Sequence, residues 1–198
     1  MLIAVLANDG QWKELTEGYD EKLFVRVSSL QDKINADAYI ILEAAAISSK
    51  ENLQKPVLIN SVIQTLTELN AGKNVLRING WKGFLQRKIW EVAGAVSEEV
   101  KQIFTALDKR YIEVADEPGL VAARTISMIV NEAYFALGEE VSTKTEIDIA
   151  MKLGTNYPYG PFEWAEKIGV KNIYGLLKTL SAISKRYLPA PLLEKESA

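Results

Sequence analysis

Residues 118–164 read PGLVAARTISMIVNEAYFALGEEVSTKTEIDIAMKLGTNYPYGPFEW, and this stretch decides the fold. From Gly119 to Leu137 apolar residues occupy most of a helical circumference without the alternation of a strand, which predicts a buried helix. Arg124, Ser127 and Asn131 recur at helical spacing and mark one polar stripe, so the rest of the helix must be covered. Ser142 or Thr143 can cap a following helix through Leu153, with Glu146 placed for a capping box to Thr143. Pro158, Gly160 and Pro161 fix a turn, and Pro161 suits the first position of the next helix. A last helix is expected from about Asn172 to Tyr187, and the tail holding Pro189 and Pro191 should fray.

Upstream the pattern changes to short apolar runs separated by polar helical segments, as in an α/β domain with a partly parallel sheet. The expected organisation is an α/β domain over residues 1–115 and a helical domain over 116–198. Strands are expected at Leu2 to Leu6, Leu23 to Val27, Ala38 to Leu42, Val57 to Ile59, Val75 to Ile78, Ile89 to Val92 and Tyr111 to Val114. Ser61 to Leu69 and Ser97 to Leu107 carry helical spacing, the second with Ser97 as N-cap and Glu98 and Glu99 in its first turn. Short helices are expected over Asp9 to Gly18 and Ser28 to Asn35. No internal repeat or low-complexity segment is present.

Composition removes several classes of function. With 23 basic and 26 acidic residues the net charge is -3, which supplies no broad positive field for a nucleic acid. No cysteine is available for a disulfide, a thiolate nucleophile or a thiolate metal site. No histidine is present either, so general-base chemistry would fall to a carboxylate, lysine or tyrosine, and no metal site is expected. The start MLIAVLAND lacks a basic lead, and no apolar run reaches membrane-spanning length. A soluble, unprocessed, cytoplasmic protein without a membrane partner is the expectation.

The segment Pro118–Gly119, Asn131 to Ala133, Ile147–Asp148, Met151 to Gly154 and Tyr157 to Glu163 resembles the start of the helical C-terminal domain of the 3-hydroxyacyl-CoA dehydrogenases. The family pattern there is Pro-Gly-Phe, Asn-Glu-Ala, Ile-Asp, Met-Lys-Leu-Gly and Tyr-Pro-X-Gly-Pro-Phe-Glu. The resemblance implies a degenerate Rossmann-like N-terminal domain followed by an all-α dehydrogenase C-terminal-like domain. It also implies a helical domain that builds a dimer and closes one side of an acyl-CoA and NAD cleft.

Carried over residue by residue, the resemblance leaves few of the family's working groups. Aligning the strand IAVL sets Ala7, Asp9 and Trp12 at the glycines of the dinucleotide loop Gly-X-Gly-X-X-Gly, where a charge and an indole oppose a pyrophosphate. Ile89 to Val92 is similar to the strand that carries the family glutamate. Glu91 then takes its place and Asn79 falls at the family histidine. An asparagine amide cannot act as a general base, although it can donate a hydrogen bond to a carbonyl. Ala123 stands at the family asparagine, and Asn60 and Ser61 are similar to the family's serine turn. With Tyr157 these form the expected substrate cleft.

The N-terminal part is short for a dinucleotide domain, which implies missing units. The leading expectation is a catalytically degenerate, non-enzymatic relative that needs no cofactor, forms a homodimer through residues 119–137 and keeps an acyl-CoA site. The alternative is an active NAD-dependent 3-hydroxyacyl-CoA oxidoreductase of fatty acid metabolism with Glu91 or Tyr157 as proton acceptor. A third reading is a protein interaction module anchored by exposed Trp81, Phe84 and Trp90, which lie among Lys82, Arg87 and Lys88.

Overall fold

The computed structural model describes residues 1–29, 34–43 and 53–198, so the helix expected over Ser28 to Asn35 lies partly outside the described residues. The chain forms two compact units, Met1–Leu120 and Val121–Ala198.

The first unit is a sheet of β1 (Ile3–Leu6), β2 (Phe24–Arg26), β3 (Ala38–Ile41), β4 (Val57–Asn60), β5 (Val75–Ile78), β6 (Ile89–Ala93) and β7 (Arg110–Glu113) in the order β2-β1-β3-β4-β5-β6-β7. Every expected strand is present, within a residue or two of its expected ends. Strands β1 to β5 run parallel, β6 is antiparallel to β5, and β7 is parallel to β6. The connection Asn79 to Lys88 is too short for a helical crossover, so β6 turns back.

One face of the sheet presents Ile3, Val5, Ile40, Leu58, Leu76, Ile78, Trp90 and Val92 to helices α1 (Asp9–Thr16) and α2 (Glu98–Ala106). Helix α2 contributes Val100, Ile103 and Phe104, one stripe at helical spacing, and Ser97 caps it as its position predicts. The other face carries two apolar clusters, around Leu6 and Val27 and around Ile41, Val57 and Ile59. Among the described residues these are packed by connecting segments, including Ile34, Leu66 and Leu69.

The helix expected from Ser61 to Leu69 is instead a series of bends and turns. Its cause is Arg77, whose side chain is fully buried in β5. The guanidinium donates to the carbonyls of Ser61 (2.7 Å), Val62 (3.1 Å) and Glu117 (3.3 Å) and pairs with Asp116. Asp116 in turn accepts from the Leu66 N–H. The first carbonyls of the expected helix are thus committed to Arg77, and turns close near its end, through Leu69 N–H to Thr65 O, Asn70 N–H to Thr67 O and Ala71 N–H to Leu66 O (each 3.0 Å). The same network fastens the segment Asp116–Glu117 to the sheet.

The second unit contains α3 (Ala122–Gly138), α4 (Lys144–Thr155), α5 (Pro161–Ile168), α6 (Val170–Ser181) and α7 (Pro191–Ser197). Helix α3 packs against α5, α6 and α7. Its buried residues Ala123, Ile126, Val130, Ala133 and Tyr134 meet a core that includes Phe162, Leu176, Leu177 and Leu193, with Tyr134 edge-on to Phe162 at 5.0 Å.

Two expectations for this unit are corrected. The polar stripe of α3 is largely inside: Ser127 and Asn131 are buried, whereas Thr125 and Glu132 are exposed. The helix expected to run to Tyr187 stops at Ser181, and the expected frayed tail is the docked helix α7. Asn131 explains both. Its side chain donates to Leu188 O (2.9 Å) and accepts from Ala190 N–H (2.8 Å), clamping the turn through Pro189 so that α7 folds back with Leu193 in the core. Asn131→Ala removes both bonds from a buried turn and should cost about 2 kcal/mol. Limited proteolysis would then cut after Tyr187 at a rate well above wild type, while the sheet unit stays resistant.

Candidate functional site

In an open parallel sheet, ligands bind beyond the carboxyl ends of neighbouring strands whose connections leave in opposite directions. Here those strands are β1 and β3, because β2 lies on one side of β1 and β4 on the far side of β3. The turn from β1 into α1 is therefore the place to test for a nucleotide.

That turn is filled by the chain's own side chains. Asn8 caps α1 by accepting from Gln11 N–H (3.0 Å), and Gln11 reaches back to accept from Asn8 N–H (3.3 Å). The Gln11 amide also donates to Leu42 O (3.1 Å), an oxygen that accepts from Asn60 as well (3.0 Å). The end of β3 is thereby tied to β1 and β4. Arg26, at the end of β2, donates to Ala7 O from Nε (3.2 Å) and Nη2 (2.8 Å), pairs with Asp9 (2.7 Å) and lies 5.8 Å from the Trp12 ring centroid. Trp12 packs edge-on to Phe24.

The residues present do not fit a dinucleotide pyrophosphate. Such a group needs free amides at a helix N-terminus and a backbone it can approach closely. This helix has its Gln11 and Asn8 amides satisfied within the capping box, a carboxylate at Asp9, and an arginine over the Ala7 carbonyl. Arg26 and Gln11 escaped the sequence reading. The signal for Arg26 was a cation ending an otherwise apolar strand; Gln11 was legible as the fourth member of Asn-X-X-Gln.

Asn79, Asn60 and Gly80 come together at the carboxyl ends of β4 and β5. Asn60 accepts from Gly80 N–H (3.0 Å), and a Cβ at Gly80 would lie 2.7 Å from the Asn60 side chain, so this approach requires glycine. Asn79 is buried. Its side-chain oxygen Oδ1 accepts from Trp81 N–H (3.2 Å), and among the described residues its Nδ2 has no hydrogen-bond partner. Strands β5 and β6 pair Arg77 with Ala93 and Ile78 with Val92, a register whose continuation sets Asn79 opposite Glu91. Glu91 is half-buried on β6, where its charge faces that of Arg87. Ser61 is turned away to Gln64 O (2.8 Å), and its own carbonyl is held by Arg77.

The other two cleft candidates belong to the helical unit. Ala123 is fully buried in the first turn of α3, and Tyr157 is exposed just after α4. The aromatics expected to be exposed are not: Trp81, Phe84 and Trp90 are all buried, because Trp90 faces α2 and donates to Leu85 O (3.2 Å), while Arg87 stacks 4.1 Å from the Phe84 ring centroid. Among the described residues no group of His, Cys, Asp or Glu side chains could hold a metal, and no helix is long and apolar enough to cross a membrane.

The Tyr-Pro-X-Gly-Pro-Phe-Glu stretch is explained by Asp148, which accepts from Phe162 N–H (2.8 Å) and Glu163 N–H (3.2 Å) at the start of α5. Glu163 accepts from Gly160 N–H (2.9 Å) and pairs with Lys152, interactions that hold its carboxyl below the usual carboxylate range, the lysine foremost. Ile-Asp in one helix and Gly-Pro-Phe-Glu at the head of the next are two halves of one joint.

Comparison with known proteins follows the same division. Residues 119–196 match the model of the 3-hydroxyacyl-CoA dehydrogenase C-terminal domain. The chain is a relative of the 3-hydroxyacyl-CoA dehydrogenases. A probable 3-hydroxybutyryl-CoA dehydrogenase of Bacillus subtilis is 29% identical over 215 residues, covering 96% of this chain and 75% of the relative. The 3-hydroxyadipyl-CoA dehydrogenase of Escherichia coli is 42% identical over 91 residues, which are 45% of this chain but only 19% of that protein. A solved 3-hydroxybutyryl-CoA dehydrogenase of E. coli superposes with a TM-score of 0.61 at 32% identity, over 74% of this chain and 32% of the other. FadB2 of Mycobacterium tuberculosis superposes with a TM-score of 0.77 over 98% of this chain and 92% of the other, and at 14% identity it shows the shared fold. The architecture is accordingly a Rossmann-like sheet unit followed by the helical domain of this dehydrogenase family.

Proposed function

We propose that this chain is a 3-hydroxyacyl-CoA dehydrogenase-like protein that has lost hydride transfer and works as a cytoplasmic homodimer, with acyl-CoA binding retained. The observation that carries the loss is the β1–α1 turn, where Arg26, Asp9, Trp12 and the Asn8–Gln11 capping box stand where a dinucleotide would lie. No side chain can supply a hydride in place of such a cofactor. Asn79 at the family histidine position adds to this reading, since its amide donates but does not take a proton. The apolar face of residues 119–137 is largely buried within the helical unit, so the dimer is supported instead by exposed apolar surface at Val121, before α3, and at Ile149 and Leu153 on α4.

Isothermal titration of the whole chain with NAD+, NADH and acetoacetyl-CoA, beside light scattering for its mass, tests this reading. The expected result is a dimer that gives heat with the CoA ester and none with either nucleotide. Submillimolar nucleotide binding would overturn the loss of hydride transfer, and a monomer would overturn the assembly. The similarity to 3-hydroxybutyryl-CoA dehydrogenases favours a second reading, an active NAD-dependent 3-hydroxyacyl-CoA oxidoreductase of fatty acid metabolism. It requires nucleotide binding in the same titration and turnover that falls in Glu91→Gln or in Tyr157→Phe.

A further inference from the structure

A cavity of about 480 Å³ opens in the sheet unit, away from the β1–α1 turn. Glu14, Glu17 and Tyr19 line it from α1 and the turn that follows, Lys88 from the approach to β6, and Asp108 and Lys109 from the turn between α2 and β7. Most of its polar groups are committed. Glu14 accepts from Gly83 N–H (2.8 Å) and Leu85 N–H (3.1 Å), Glu17 accepts from Gln86 (2.9 Å), Tyr19 donates to Leu107 O (2.6 Å), and Lys88 pairs with Asp108 at the rim (3.3 Å).

Lys109 differs from the chain's exposed lysines. Its backbone is fixed by Lys109 N–H to Phe104 O (3.0 Å), so the side chain starts from a rigid turn. Its amine is half-buried, donates to Arg87 O (3.0 Å) and stands 5.0 Å from the centroid of the Trp90 ring. Burial, and next the neighbouring Lys88 ammonium, push the amine below the usual lysine range, with Asp108 and Glu14 opposing. One N–H satisfied by a carbonyl, an apolar ring beside it and an open cavity in front describe an amine held for nucleophilic attack.

We propose that Lys109 is an acyl-acceptor site, modified on its ε-amine by small acyl thioesters that enter this cavity. The amine lone pair adds to the thioester carbonyl, a C–N bond forms and the C–S bond breaks. The sulfur leaves as a thiolate and takes up the proton that the nitrogen loses, so nothing is oxidised or reduced. The resulting amide keeps one N–H for Arg87 O, which lets the product occupy the same place. A volume of this size admits a short acyl group with the sulfur end of its carrier. This site is independent of whether the β1–α1 turn binds a nucleotide.

The test is to incubate the whole folded chain with acetyl-CoA in mildly alkaline buffer and follow acetylation of each lysine by peptide mass spectrometry, with a parallel sample in urea. Lys101 is the internal reference, an exposed amine whose carboxylate neighbour Glu98 holds it above the usual lysine range. Lys109 should acetylate several-fold faster than Lys101 in the folded chain, since more of its amine is unprotonated, and this advantage should vanish in urea. Equal rates in the folded chain would overturn the proposal. So would an advantage that persists in urea, since it would then belong to the local sequence and not to the cavity.

Discussion

Arg77→Met should lower the stability of the sheet unit by about 3 kcal/mol, the low end for a broken buried ion pair because Asp116 still reaches water. Arg77 is among the largest fully buried side chains of the described residues. Methionine fills most of its volume but offers no donor, so the Ser61 carbonyl loses the guanidinium, the Val62 and Glu117 carbonyls are left to the Gly119 and Leu120 N–H groups, and the Asp116 carboxylate is left to the Leu66 N–H. Urea unfolding followed by tryptophan fluorescence reports this directly, since Trp12, Trp81 and Trp90 all lie in the sheet unit. A loss no larger than one ordinary hydrogen bond would mean that the network contributes little. Adding Asp116→Asn to Arg77→Met should recover part of the loss, because the remaining partner is then uncharged.

Arg77 also shows where sequence reasoning runs out. The strand Val75 to Ile78 was legible from its apolar run, and the charge within it was visible, but its partners are far along the chain, at Ser61, Val62, Asp116 and Glu117. Helical spacing from Ser61 to Leu69 is a local signal, and a buried guanidinium taking two of the leading carbonyls overrides it. The docked α7 was hidden for the same reason: two prolines and a charged tail look frayed until Asn131, more than fifty residues upstream, is found holding the turn. By contrast, elements whose signals are local stood in the sequence. Ser97 caps α2, Thr143 and Glu146 box α4, and Pro161 opens α5 because each of these devices lies within four residues of what it stabilises.

The candidate site divides along the same line. That Asp9 and Trp12 oppose a pyrophosphate was readable from charge and size at two positions. That Arg26 reaches across to Ala7 and Asp9 was not, because it depends on β2 lying beside β1. Asn79 and Glu91 were singled out by resemblance, and the antiparallel register that continues from Ile78 and Val92 gives their adjacency a geometric basis. The aromatics of residues 81–90 went astray because charged neighbours suggest exposure, whereas Arg87 and Lys109 cover rings that the sheet unit buries.

Gly160→Ala should be the most damaging small substitution in the helical unit, at about 3 kcal/mol, although glycine here has an ordinary helix-entry backbone. The reason is space. A Cβ built on residue 160 falls inside contact distance of the Asp148 side chain, including its Cβ as well as its carboxyl group. Rotating the carboxylate away would sacrifice the caps on Phe162 and Glu163 and still leave Cβ against Cβ, so α4 and α5 must separate. Asp148→Ala alone should cost about 1–2 kcal/mol, the worth of a lost helix cap. The two substitutions together discriminate between clash and cap. If Cβ meets Cβ, Gly160→Ala remains nearly as costly in the Asp148→Ala background. If only the carboxylate is in the way, most of its cost disappears there. Thermal unfolding of the wild type and the three variants, read by the helical signal of circular dichroism, measures this coupling. The steric account predicts the first result, and with it that Ile-Asp and Tyr-Pro-X-Gly-Pro-Phe-Glu mark this family's helical domain because they build a joint between two helices, whatever chemistry the neighbouring sheet unit performs.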